Sequence, residues 1–369
     1  MADVARPPAN RFRLALALVV VLIGGCELSS ALVQVEEPEP VWKLSGPTMG
    51  TRYAISVVGG SEFEANTLRD RIDQRLALVN RRMSTYDPES EISRFNSDEA
   101  TTWFAVSSET QSVVAYALEL ASDSGGAFDP TVGPLVNLWG FGPDKRRAEP
   151  PTEDEITAAQ SQIGFSLIES RPDPPAIKKN AAAAYLDLSA VAKGYGVDVI
   201  AQLIEGEGYS SYLVEIGGEV RAKGAKPNGQ PWRIGVEKAD PGQSPTANQR
   251  PLQQVIELSD MAMATSGDYR NFFEHEGERY SHTIDPTTGR PVSHDLATVT
   301  VLAETCMQAD ALATALLVMG PHAGYDWASE RGIAALMVSR DERDRLTERT
   351  TPAWQRALDD QSTDGSPER

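Results

Sequence analysis

The stretch Tyr212-Leu213-Val214-Glu215-Ile216-Gly217-Gly218-Glu219-Val220-Arg221-Ala222 decides the fold class. Apolar residues recur at every second position on both sides of a glycine pair, and paired glycines supply the positive φ that a tight turn needs. The spacing predicts strands over Tyr212–Ile216 and 219–222, joined as an antiparallel hairpin. Working outward, the pattern predicts a short strand over 185–188 and a helix over 190–206 on the N-terminal side. On the C-terminal side it predicts strands over 233–237, Leu252–Leu258, 297–302 and 333–338, with helices over 307–319 and 322–331.

Nearer the N-terminus, residues 42–58 read as extended chain. Leu68, Ile72, Leu76, Val79 and Met83 recur at three- and four-residue steps, which predicts an amphipathic helix over 62–83. Ser108 with Gln111 suggests a capping box for a helix ending at Gly125-Gly126, and Thr152 with Glu155 suggests another. Hairpins mixed with helices indicate an α+β fold with antiparallel and mixed sheets, not a doubly wound parallel one. The Pro-, Gly-, Ser- and Asn-rich residues 239–249 read as a loop. The charged residues 353–369 read as a disordered tail, so that 42–352 make one domain.

The first residues belong to an export signal. Arg6, Arg11 and Arg13 precede an unbroken apolar run over 14–23, then Gly24, Gly25 and Cys26. A basic region, a short apolar region and small residues before a cleavage point are the order of a secretory leader. The run is shorter than the roughly 20 residues of a spanning helix. Leu22-Ile23-Gly24-Gly25-Cys26 has the form of a lipobox, with Cys26 acylated after removal of residues 1–25. Residues 26–41, with Glu36, Glu37, Pro38, Glu39 and Pro40, read as a solvated acidic tether. With Cys26 acylated, Cys306 is the one remaining cysteine and no intrachain disulfide is expected.

Composition narrows the function. The 369 residues are 41% hydrophobic, enough for a full core, and carry a formal net charge of -19. So acidic a surface repels phosphate backbones, which argues against nucleic-acid binding. An anionic nucleotide would need local help from backbone amides, a lysine or a bound cation. There is no G-x-G-x-x-G, no P-loop, no G-x-S-x-G elbow and no Cys/His spacing of a zinc site.

Six short segments rich in Gly, Asp and Thr stand out and read mostly as turns: 127–135, 187–195, 215–219, 265–270, 281–291 and 309–316. Each offers carboxylates, hydroxyls or bare amides, groups that suit a phosphate ester and a hard cation. Asp310 and Thr314, at i and i+4 on a predicted helix, share one face about 5–6 Å apart. Both present oxygen, the ligand type of Mg²⁺. The same pattern also fits an Asp that satisfies helix amides and a Thr that bonds back along its helix. Lys193, near a helix start, suits an anion or a solvated surface. His282, inside a dense turn motif, suits a general base or a structural hydrogen bond.

Together with Gly46-Pro47-Thr48-Met49-Gly50-Thr51 and Met83-Ser84-Thr85-Tyr86-Asp87-Pro88, these segments resemble the FAD:protein FMN transferases, the ApbE-type flavin transferases, from about Trp42 to Ser339. The resemblance implies an α+β, T-fold-like architecture and a substrate, FAD. It implies that Met49, Tyr86, Ala127, Phe128, Asp129, Asp187, Lys193 and Ile284 contact FAD. It implies that the Ala190 carbonyl, the Asp310 carboxylate and the Thr314 hydroxyl ligate Mg²⁺, and that His282 activates the acceptor hydroxyl. The implied reaction passes FMN to a Thr or Ser hydroxyl of a target protein and releases AMP. The implied partners are membrane-associated redox subunits, reached from a lipid anchor on the outer, periplasmic face of the inner membrane. The same site would also serve an Mg²⁺-dependent FAD pyrophosphatase, or a flavin-binding lipoprotein without chemistry.

Overall fold

Eight strands form one antiparallel sheet in which spatial order follows chain order: β1 (Val41–Thr48), β2 (Thr51–Val58), β3 (Tyr212–Ile216), β4 (Glu219–Lys223), β5 (Met261–Gly267), β6 (Leu296–Ala303), β7 (Ala334–Arg340) and β8 (Leu346–Thr350). The computed structural model describes residues 39–143, 147, 149–238, 252–268, 271–341, 343 and 345–364. Nine helices are inserted between and after these strands: α1 (Glu62–Met83), α2 (Glu91–Ser97), α3 (Ser108–Asp123), α4 (Gly133–Leu138), α5 (Glu153–Gln160), α6 (Ser189–Gly206), α7 (Cys306–Met319), α8 (Ala323–Glu330) and α9 (Pro352–Asp364), all among the described residues. The α+β reading from the hairpin holds, and that hairpin is β3 with β4, Ile216 facing Glu219 across the turn.

The sheet is buried on both faces. On one face α1 and α6 cover Tyr212, Val214 and Ile216, while α7 covers Ala264, Val299, Val301, Ala335 and Met337. On the other face Val220, Ala222, Met263, Leu336 and Val338 meet Trp232, Ile256, Leu258 and Trp354. Double coverage buries seven of the eight residues of β6, Thr298 and Thr300 included.

Several local expectations shift. Residues 185–188 form no strand, because their polar groups are satisfied elsewhere. The Leu186 N–H donates to Asn96 Oδ1 at 2.8 Å, Asn96 Nδ2 donates back to the Leu186 carbonyl at 2.8 Å, and the Asp187 N–H donates to the Pro130 carbonyl. The cap of α3 is Ser107 and not Ser108, and Gln111 reaches Ser170 across the fold. The box at Thr152 and Glu155 forms as expected. Thr265, Ser266 and Gly267 close strand β5 and are not a turn.

The expected tail is the largest correction. Pro352 to Asp364 is helical, and Trp354 is 1% exposed against the sheet, with Ala353, Ala357 and Leu358 beside it. Spacing of i, i+3 and i+4 at Trp354, Ala357 and Leu358 makes an apolar stripe that a charge-based reading overlooks. The leader, Cys26, most of the tether, the 239–249 loop and residues 365–369 lie outside the described residues. No described helix is long and apolar enough to cross a membrane.

Candidate flavin and cation site

The long insertions between sheet strands converge on one cleft of about 390 Å³, within the range of small-molecule sites. Its floor comes from α6, β4, β5 and α7, through Ala190, Lys193, Glu219, Ser266, Asp310 and Thr314. Its walls come from 127–130, Asp187, His282 and Ile284, and Tyr86 stands at the rim, 65% exposed. The cleft thus gathers Tyr86, Ala127, Phe128, Asp129, Asp187, Ala190, Lys193, His282, Ile284, Asp310 and Thr314. Met49 is absent from the lining. It sits at φ +46 in the β1–β2 turn and packs on α6, so that a β-carbon at Gly196 would lie 2.9 Å from its Cε.

Two helices create the floor. Helix α6 begins beside Asp187, whose carboxylate accepts from the Ser189 N–H at 2.9 Å and from the Ser189 hydroxyl. Ser189, Ala190 and Lys193, near its start, line the cleft. Asp198, further along α6, accepts from the N–H groups of Cys306 and Met307 at 3.0 and 2.8 Å, which fixes the start of α7. One turn later, Asp310 points back at α6, and its Oδ2 accepts from the Gly194 N–H at 3.0 Å.

The Asp310 carboxylate is 3% exposed. Burial pushes its carboxyl pKa well above the carboxylate range, and the Lys193 ammonium, 3.6 Å away, opposes the shift. Lys193 also bonds Glu219, and those two carboxylates hold it protonated against its own desolvation. The Thr314 hydroxyl makes the back-bond that its spacing allowed and has a second partner. It bonds back to the Asp310 carbonyl at 3.2 Å, and it meets Ser266 Oγ at 3.0 Å inside the cleft.

The donor set fits a hard divalent cation. It is all oxygen: the Asp310 carboxylate, the Thr314 and Ser266 hydroxyls and the Ala190 carbonyl. Among the described residues no three His, Cys, Asp or Glu side chains close a cage. An open site with one or two carboxylates is what Mg²⁺ uses when substrate phosphates complete its shell.

The other predicted residues have distinct environments. Asp129 lines the cleft, but its oxygens already accept from Thr131 N, Thr131 Oγ1 and Phe165 N at 2.8, 2.6 and 3.1 Å. Burial still raises its pKa. The Tyr86 hydroxyl donates to the Phe141 carbonyl at 3.3 Å. His282 Nδ1 lies 3.1 Å from the Asn271 carbonyl, which can only accept, so Nδ1 carries a proton, and in the neutral ring Nε2 has the basic lone pair. Its ring meets Phe141 edge-on at 6.3 Å.

With that geometry in view, likeness to known proteins becomes informative. The model of the ApbE family matches residues 49–337. The FAD:protein FMN transferase of Vibrio cholerae is 45% identical over 324 residues, covering 88% of this chain and 92% of the relative. The chain belongs to the ApbE family. Another ApbE relative, the FAD:protein FMN transferase of Escherichia coli K12, is 35% identical over 331 residues, covering 89% and 92% of the two chains. The solved structure of the flavin transferase ApbE from Vibrio cholerae superposes with a TM-score of 0.79 at 43% identity, covering 86% of this chain and 99% of that one. The apo flavinyl transferase ApbE of Pseudomonas stutzeri gives 0.77 at 36% identity, covering 89% and 98%.

Residue patterns alone passed over Glu219, Ser266 and Asn271 as members of the site. Glu219 lay in the hairpin motif but read as a strand residue. Its one local signal is a charge placed on the face that Tyr212, Val214 and Ile216 mark as buried.

Proposed function

We propose that this chain transfers FMN from FAD to a hydroxyl of an acceptor protein, releasing AMP, with a divalent cation such as Mg²⁺ held at Asp310, Thr314 and Ala190. Membership of the ApbE family, in which the curated relatives are FAD:protein FMN transferases, gives the enzyme class. The observation that carries the site reading is the convergence of Lys193, Asp310, Thr314 and His282 on one cleft.

Each group has a task. A divalent cation bound at Asp310 would neutralise pyrophosphate charge and stabilise the departing AMP phosphate. Lys193 holds the phosphates against the net acidity of the chain. Nε2 of His282 takes the proton of the acceptor Thr or Ser hydroxyl as its oxygen bonds the FMN-side phosphorus. The bond from that phosphorus to the bridging oxygen breaks, and AMP leaves with the electron pair. The product is a phosphoester between FMN and the acceptor. Phe128, Ile284 and Tyr86 supply apolar and aromatic surface for the ring systems.

The acceptor class follows from the sequence outside the described residues. Several acyl chains on Cys26 would hold the cleft near the outer face of the cytoplasmic membrane and raise its effective concentration toward membrane-associated redox subunits. Mass spectrometry tests the whole reading. Incubation with FAD, Mg²⁺ and the exported domain of such a subunit should add one FMN to a Thr or Ser and release AMP. Free FMN and AMP with an unmodified acceptor would make the protein a pyrophosphatase toward that substrate. Intact FAD would defeat the catalytic reading.

A further inference from the structure

Glu219 occupies an unusual position on the floor of the cleft. It is 3% exposed at the first position of β4. Its Oε1 accepts from the Lys193 ammonium, while Oε2 is buried and has no hydrogen-bond partner among the described residues. A buried carboxylate oxygen without a donor is costly, so a role beyond the resting structure is expected of it. Gly217, which also lines the cleft, sits beside this oxygen at φ +65. A β-carbon there would come 3.4 Å from Oε2.

Lys193 therefore lies between two buried carboxylates, bonded to Glu219 and 3.6 Å from Asp310 Oδ1. A cation bound by Asp310 and the Lys193 ammonium repel each other at such separations. Without a second anion, the ammonium would settle on Asp310 and occupy the place a divalent cation needs. We propose that Glu219 is a positioning residue that holds Lys193 off Asp310, so that a divalent cation and the lysine occupy the floor together. Its effect on cation binding runs through Lys193, and Glu219 is not itself a ligand. This inference rests on the reading of Asp310 and Thr314 as cation ligands.

The experiment measures Mn²⁺ binding to the full chain, without FAD, by electron paramagnetic resonance. Glu219→Gln, isosteric and uncharged, should raise the Mn²⁺ dissociation constant on the order of tenfold, the size of coupling usual for contacting residues. Lys193→Met removes the competing ammonium and should tighten Mn²⁺ binding. The deciding comparison is Glu219→Gln within the Lys193→Met protein, where the loss should vanish. An equal loss with Lys or Met at position 193 means that Glu219 acts on the cation directly, and overturns the proposal. Should Glu219→Gln fail to fold, Lys193→Met alone decides, because unchanged or weaker Mn²⁺ binding contradicts competition by the ammonium. A parent protein with no Mn²⁺ site removes this inference together with the cation reading. Parental binding that Asp310→Ala abolishes, with Glu219→Gln unaltered, removes this inference alone.

Discussion

Gly194 of α6 lies so close to Cys306 of α7 that a β-carbon on it would fall 2.3 Å from the Cys306 carbonyl oxygen. The two helices cross backbone to backbone, and Asp198 locks the crossing by accepting from two N–H groups at the start of α7. Asp310 meets the Gly194 N–H at this same crossing, so the geometry of the candidate cation site is the geometry of the helix pair.

A methyl group at position 194 forces that pair apart, since the obstructing atoms are backbone and cannot rotate away. Gly194→Ala should cost about 1–3 kcal/mol of stability, the range of overpacking. It should also weaken Mn²⁺ binding. Urea denaturation and a cation titration check both, and a variant unchanged in the two would mean that the crossing has slack.

Asp310→Ala should abolish Mg²⁺-dependent AMP release by orders of magnitude while leaving a folded protein, as judged by circular dichroism. His282→Ala separates the base from the cation. Turnover should fall about 10²–10⁴-fold, the usual contribution of general base catalysis, with Mn²⁺ affinity unaltered. Unchanged turnover at neutral pH would remove His282 from the chemistry.

Trp354 anchors α9 on the far face of the sheet. Trp354→Ala should destabilise by about 3–5 kcal/mol, as expected when a buried aromatic leaves a cavity. A melting temperature equal to that of the parent would return the C-terminal residues to the status of a tail.

Arg147, aided by the Thr152 backbone N–H, holds the Glu155 carboxyl down to about 2 from an ordinary 4.5. A depressed carboxyl contributes stability that is complete above pH 4.5 and lost as pH falls through about 2. Urea midpoints of the parent and of Glu155→Gln should therefore differ by a constant amount above pH 4.5 and converge toward pH 2. A gap that persists at pH 2 would show that the charge of Glu155 is not its source.

Much of the fold and the site was legible in the chain itself. Alternation around Gly217-Gly218 fixes the hairpin, because only glycine enters such a turn without strain, and the three- and four-residue steps of 62–83 fix α1. These are local rules, acting over one turn or one strand. The family motifs likewise supply much of the cleft lining, while Val136, Phe141, Asn271 and Val318 lie outside them. Three features depended on tertiary contact. Residues 185–188 have strand-like composition but spend their hydrogen bonds on Asn96 and Pro130. The helix after Pro352 forms because the sheet offers Trp354 a buried face, which charge content does not reveal. Glu219 joins Lys193 and Asp310 only when β4, α6 and α7 pack together. The sequence thus determined the elements and the chemical inventory. Only packing determined which carboxylates share one ammonium, because the energy of buried charges depends on separations of a few ångströms between residues far apart in the chain.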